Sequence, residues 1–72
     1  MDFYVIDLET ANGDSSSICQ IGIAGYENGV CVFEWGTLIN PNTIFDPGNI
    51  NIHGITPDMV KTAPVLPAVF QS

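Results

Sequence analysis

Asp7 and Glu9 stand two residues apart at the end of a run that is otherwise apolar, Phe3-Tyr4-Val5-Ile6-Asp7-Leu8-Glu9. In an extended strand side chains alternate between faces, so both carboxylates project from the same side, their Cα atoms about 6.8 Å apart. That spacing lets two carboxylates grip one divalent cation, a hard ion that prefers oxygen ligands. Like charges on the border of an apolar region repel, so an ionised pair calls for positive charge nearby. The same spacing also describes the solvent-exposed end of an edge strand. Asp-x-Glu taken alone leaves both readings open.

The elements that must position the pair follow from the pattern around it. Residues Phe3 to Leu8 are β-branched and aromatic and end in acidic and turn residues, which predicts a strand. Phe3, Val5, Asp7 and Glu9 share one face of it, and Tyr4, Ile6 and Leu8 the other. Residues 11–17, rich in Gly, Asn, Asp and Ser, predict a loop. Residues 18–26 and 30–39 predict two further strands joined by a turn at Asn28-Gly29, a strong short-range hairpin signal. With a simple two-residue turn, Ile18, Ala24, Tyr26, Cys31, Phe33, Trp35 and Ile39 fall on one face. Ile21, Ile23, Val30, Val32 and Leu38 fall on the other. A hairpin apolar on both sides expects cover on both sides, most simply helices in an α/β layer arrangement.

After Asn40-Pro41 the sequence predicts an irregular stretch to Gly54, with Asp46-Pro47-Gly48 as a turn. Thr56-Pro57-Asp58 then reads as a helix start, with Thr at the N-cap and Pro at the first helical position, and the helix runs to about Lys61. Residues 63–72 predict the opening turns of a second helix, with Val65, Val69 and Phe70 on its apolar side. The aromatic residues Tyr26, Phe33 and Trp35 could stack bases, but their alternation favours a core role. Gly22, Gly25 and Gly36 suggest bulges or close packing.

Composition bounds what such a scaffold can do. The chain has 72 residues, enough for one domain at most, and domains of this size are only marginally stable. Its residues are 46% hydrophobic and 12% charged, suited to strands packed inside a larger body. Eight acidic residues against one basic residue, Lys61, give a net charge of −7. A phosphate backbone would be repelled unless divalent cations or a partner supplied positive charge. Cys19 and Cys31 fall on opposite faces and roughly 24 Å apart along the predicted hairpin, so a bridge between them is excluded without rearrangement. Both are expected to be small core residues, and unpaired thiols fit a reducing, cytoplasmic setting. There is no signal-like leader and no apolar run of about 18 residues, so no membrane is expected as partner.

Four segments, in order, carry a family resemblance. They are Tyr4-Val5-Ile6-Asp7-Leu8-Glu9-Thr10-Ala11, Ile18-Cys19-Gln20-Ile21-Gly22, Leu38-Ile39-Asn40-Pro41 and Ile52-His53-Gly54-Ile55-Thr56-Pro57-Asp58-Met59-Val60. Together they closely resemble the start of the DnaQ-like (DEDD) 3′→5′ exonucleases, the family of ribonuclease T and the bacterial proofreading subunit. The resemblance implies the N-terminal part of an α/β, RNase H-like fold over residues 1–72: a three-stranded antiparallel sheet (3–8, 18–26, 30–39) with short C-terminal helices. It implies phosphodiester hydrolysis at the 3′ end of a single-stranded nucleic acid, with two Mg²⁺ or Mn²⁺ ions about 3.5–4 Å apart. Asp7 would bridge the two metals, and Glu9 would bind the one that carries the attacking water. Thr10 and Ala11 match positions whose backbone approaches the terminal nucleotide. His53 would lie along the substrate cleft, or else order its loop by hydrogen bonds to backbone.

The same resemblance shows what residues 1–72 do not contain. The family's site also uses an Asp from a later motif and a final motif with a general-base His or Tyr and a further Asp. The later acidic residues here, Asp46 and Asp58, fall in the loop and in a helix start. Weak metal binding and no turnover by this chain alone are therefore expected. The first strand is left as a sheet edge, and such an edge seeks a partner, either a second copy or a completing chain. The alternative function is a non-catalytic assembly module that uses this edge.

Overall fold

The computed structural model describes residues 2–69. β1 (Phe3–Thr10), β2 (Ile18–Glu27) and β3 (Val30–Leu38) form an antiparallel sheet in the order β1-β2-β3, followed by α1 (Pro47–His53), α2 (Pro57–Val60) and α3 (Leu66–Val69). The strands agree with the sequence expectation to within two residues at each end. At the hairpin, Asn28 (φ 50°) and Gly29 (φ 78°) both take positive φ, the type I′ geometry that matches the twist of the flanking strands. The β1–β2 loop is held by its own polar side chains: Asn12 Oδ1 accepts from Asp14 N (2.8 Å), and Asp14 Oδ1 accepts from Ser16 N (2.9 Å) and Ser16 Oγ (2.8 Å). Those two donors hold the Asp14 carboxyl below its ordinary range.

The hairpin register departs from the simple alternation. Past the turn Tyr26 pairs with Cys31, but Gly25 pairs with Phe33, so Val32 is an extra residue in β3 and a bulge lies between Gly25 and Tyr26. From there on every β3 side chain changes face relative to the expectation. Trp35 pairs with Ile23, Gly36 with Gly22 and Leu38 with Gln20. Phe33 and Trp35 therefore share a face with Tyr4, Ile6 and Leu8 of β1, whereas Tyr26 lies on the opposite face and stacks on Phe3 (centroids 5.0 Å apart, planes at 10°). The three aromatics do not form one row. Beside the bulge, a Cβ on Gly25 would meet the exposed Tyr4 ring at 3.1 Å and push it aside by a few tenths of an ångström.

The stretch expected to be irregular up to Gly54 contains α1. Asp46 is its N-cap, with Oδ1 accepting from Gly48 N (2.8 Å), Pro47 opens it, and Gly54 ends it in the left-handed region (φ 74°). Asp46-Pro47 and Gly54 are a legible pair of start and stop signals, read in the sequence as turn chemistry only. α2 begins as expected, with Thr56 Oγ1 accepting from Met59 N (3.4 Å) and Lys61 as its C-cap. The expectation for residues 70–72, and for an apolar side at Val69 and Phe70, lies outside the described residues.

The core sits at one end of the sheet. Ala11, Cys19, Phe45, Ile55 and Val60 form a buried cluster with Leu38, Ile50 and Ala63 packed against it, and Ile39 and Ile21 are also buried. Residues 40–65 supply half of that cover and gather around the C-terminal end of β1. The rest of the sheet projects beyond it, in a body measuring 40 × 28 × 19 Å. Trp35 is 41% exposed, and Phe33 and Cys31 are exposed too, which corrects the expectation that they are core. The physical reason is that nothing among the described residues layers over the middle of either face.

Cys19 and Cys31 are both free, Cys19 buried and Cys31 exposed. Burial, and secondarily the nearby Glu9 charge, push the Cys19 thiol above the ordinary range. Iodoacetamide is expected to label Cys31 in the folded chain and Cys19 only after unfolding; equal labelling of the two under native conditions would contradict the core described above. Because folding raises the Cys19 pKa, its contribution to stability is complete below the unfolded thiol pKa and is lost as pH rises through the folded one.

Candidate active site

Asp7 and Glu9 project from one face of β1, as the alternation requires. Across the sheet Asp7 pairs with Gly22, which pairs with Gly36; Glu9 pairs with Gln20, which pairs with Leu38. Two glycines in the row of Asp7 leave no side chain beside its carboxylate. A Cβ on Gly22 would lie 3.9 Å from the Cβ of Asp7, in ordinary van der Waals contact, so a side chain there would stand directly beside the carboxylate. The space forms an open hollow of about 340 Å³ lined by Asp7, Gly22, Gly36, Val5, Ala24 and Glu34. Asp7 is exposed and Glu9 half-buried. The glycine floor was visible in the sequence only as three isolated glycines; the β1–β2 register puts Gly22 opposite Asp7, and the bulge in β3 brings Gly36 into line with them.

The chemistry of the donors suits a divalent cation. The Asp7 carboxylate at the exposed hollow and the Glu9 carboxylate two residues on along the same face offer hard oxygen ligands. No group of three or more His, Cys, Asp or Glu side chains able to hold a metal occurs among the described residues. A complete coordination shell therefore needs oxygens from solvent, from a substrate or from outside residues 2–69.

Beyond Glu9 the regular ladder ends. The β1–β2 register shifts between Glu9 and Thr10, where Thr10 pairs with Ile18 and Cys19 is the extra residue. From here the backbone is held by α1 and its approach. The Thr10 carbonyl accepts from Asn49 Nδ2 (3.1 Å) and lies 2.9 Å from His53 Nε2. Asn49 Nδ2 also lies 3.4 Å from Thr10 Oγ1. Ala11 is wholly buried, its N–H donating to Ser17 O (2.8 Å) and its carbonyl accepting from Asp46 N (2.8 Å). His53 Nδ1 accepts from Ile55 N (2.9 Å), so the ring proton sits on Nε2 and is donated to Thr10. The structure thus brings Thr10, Ala11 and His53 together next to the carboxylate pair. It commits both ring nitrogens of His53 to backbone, the loop-ordering role. Asn49 is the residue that reading the sequence missed, because its partner lies 39 residues away.

Comparison with known proteins gives a consistent picture. The family model described as RNase_T, Exonuclease, matches residues 4–72. A Mycobacterium tuberculosis (strain CDC 1551 / Oshkosh) protein named as a bifunctional exonuclease/endonuclease is 35% identical over 75 residues, which is 93% of this chain and 12% of that protein. The solved structure of exonuclease X in complex with 5′ overhanging duplex DNA superposes with a TM-score of 0.83 at 29% identity, covering 94% of this chain and 40% of that one. The chain spans less than half the length of either relative.

Proposed function

This chain belongs to the RNase_T exonuclease family, and we infer that residues 1–72 are the N-terminal part of a metal-dependent 3′→5′ exonuclease acting on nucleic-acid ends. The observation that carries the reading is the pair of carboxylates on one face of β1, with Asp7 lining the glycine-floored hollow and Glu9 two residues further along the same face. Mg²⁺ or Mn²⁺ ions, when bound, would polarise the scissile phosphodiester and generate a nucleophilic water at neutral pH. Asp7 and Glu9 supply the protein oxygens for them. Thr10, immediately beyond, presents a hydroxyl whose oxygen can accept from Asn49 and whose proton remains free to donate to a terminal nucleotide. Ala11 contributes shape, turning the chain into the core behind that position. With a net charge of −7 and Lys61 as its one basic residue, the chain holds a phosphate backbone only through cations or through basic groups beyond these 72 residues. A single-stranded 3′ end in a cytoplasmic setting is the substrate this reading favours.

A second reading rests on a different observation. β1 is a sheet edge, and Tyr4 (76% exposed) and Ile6 (66% exposed) stand on it uncovered. An edge of this kind recruits another strand, either from a second copy or from a completing chain, and an assembly module needs no carboxylates.

Mn²⁺ binding separates the two. The joint change Asp7→Asn and Glu9→Gln is expected to abolish Mn²⁺ binding measured by calorimetry while leaving association through β1 intact. Unchanged Mn²⁺ binding in that variant would sink the exonuclease reading. On a 3′-end-labelled single-stranded oligonucleotide with Mn²⁺, the chain alone is expected to leave the label in place. Release of the label that Asp7→Asn abolishes would instead mean that an oligomer completes the site.

A further inference from the structure

We propose that Asn49 and His53 are positioning residues, a two-pronged clamp from α1 that holds the Thr10 carbonyl and through it sets where Glu9 presents its carboxylate. The proposal rests on the exonuclease reading for its purpose, but its geometry stands apart from that reading.

Asn49 and His53 are four residues apart in a helix and so share one face of it. Both side chains reach one shared atom. The Thr10 carbonyl oxygen accepts from Asn49 Nδ2 at 3.1 Å and from His53 Nε2 at 2.9 Å, which uses both of its lone pairs. The Ile55 N–H, held by His53 Nδ1 at 2.9 Å, fixes the tautomer that makes the second bond possible. One residue on, the Ala11 carbonyl accepts from Asp46 N, the N-cap of the same helix.

This polar docking is not a by-product of core packing. No residue of α1 is buried, and Ile52 on the same helix is exposed. Polar bonds therefore contribute most of what sets the helix against the end of β1, with Ile50 adding one apolar contact at the edge of the core. The clamp also acts where the sheet stops acting. The register breaks between Glu9 and Thr10, so β2 does not constrain the backbone after Glu9 as a regular ladder would. The Thr10 carbonyl lies in the Thr10–Ala11 peptide, and only the two soft dihedrals of Thr10 separate that peptide from the one that carries Glu9, so holding the carbonyl limits how the end of β1 can turn. Residues that orient ligands in this way typically change metal affinity by about 10–100-fold when removed.

The test uses the whole 72-residue chain with isotopic labelling. Long-range ¹H–¹⁵N spectra of the wild type are expected to show His53 as the Nε2–H tautomer; the Nδ1–H tautomer would overturn the clamp without any variant being made. Mn²⁺ titration, followed by broadening of the Asp7 to Thr10 amide signals, is expected to need about 10–100-fold more metal in Asn49→Ala/His53→Ala than in the wild type. His53→Gln, which retains a side-chain N–H donor, is expected to recover part of that loss. A double variant with native strand dispersion and an unchanged Mn²⁺ profile overturns the proposal. If wild-type broadening proves indifferent to Asp7→Asn, the exonuclease reading fails separately. The clamp is then judged by the Glu9 side-chain resonances, which must move in the double variant, and stationary ones overturn it.

Discussion

Ile39→Ala is expected to cost the chain most of its folding stability, about 2–5 kcal/mol as for other buried Ile or Leu truncations. Ile39 is 1% exposed, and its N–H donates to Cys19 O (2.8 Å), so its side chain sits where β2, β3 and the following loop meet. For a chain of this length a total stability of roughly 4–11 kcal/mol is ordinary, and the described core is small and confined to one end, which places this chain toward the low side. Losing several methyl groups from that core therefore approaches the whole margin. Ile44, 83% exposed, is the matched control, and Ile44→Ala should change stability by no more than about 0.5 kcal/mol. Urea denaturation followed by circular dichroism reads both. Equal midpoints for the two variants would show that the burial of Ile39 is not what holds the fold.

The second large effect concerns association. Light scattering of the wild-type chain is expected to return at least twice the 7.7 kDa of one copy, about 15 kDa, and Ile6→Lys is expected to return one copy. Ile6 lies at the middle of β1, on the face that also exposes Tyr4, Leu8, Phe33 and Trp35. A long apolar edge strand without Lys or Pro is an unprotected template for pairing, and a single lysine on such a strand is a common natural safeguard. The substitution changes no core contact, because Ile6 is already two-thirds exposed. A wild-type mass of 7.7 kDa across the accessible concentration range would remove the assembly reading and leave the edge to be covered by other parts of a longer polypeptide.

Much of the candidate site was legible because it depends on local rules. Strand alternation alone puts Asp7 and Glu9 on one face, and no tertiary contact can change that while the strand persists. The Asn28-Gly29 turn, the polar loop after Ala11 and the Thr56-Pro57-Asp58 helix start are equally local, each set by backbone preferences of the residues that form it. The order of motifs from Tyr4 to Val60 is by itself enough to point to the exonuclease family.

α1 occupies a middle ground. Its cap residues, Asp46, Pro47 and Gly54, are in the sequence, but Gly48, Asn49 and Asn51 are poor helix formers and favour a loop reading. What tips the balance is docking, since Asp46, Asn49 and His53 each bond the Thr10-Ala11 backbone.

The residue types and period-two alternation of the sequence by themselves determined the carboxylate pair, the three strands and the hairpin that joins them. Only the tertiary structure decided that Val32 bulges out and carries Gly36 into line with Gly22 and Asp7, because a one-residue slip is selected by contacts across strands and not by neighbours along the chain. Only the tertiary structure, too, decided that His53 points both ring nitrogens at backbone, since its acceptor at Thr10 is 43 residues away. Short-range preferences carry no information about partners at that separation. The closing of that long loop against the end of β1, with the core gathered behind it, is what sets the Thr10-Ala11 backbone beside the two carboxylates of the candidate site.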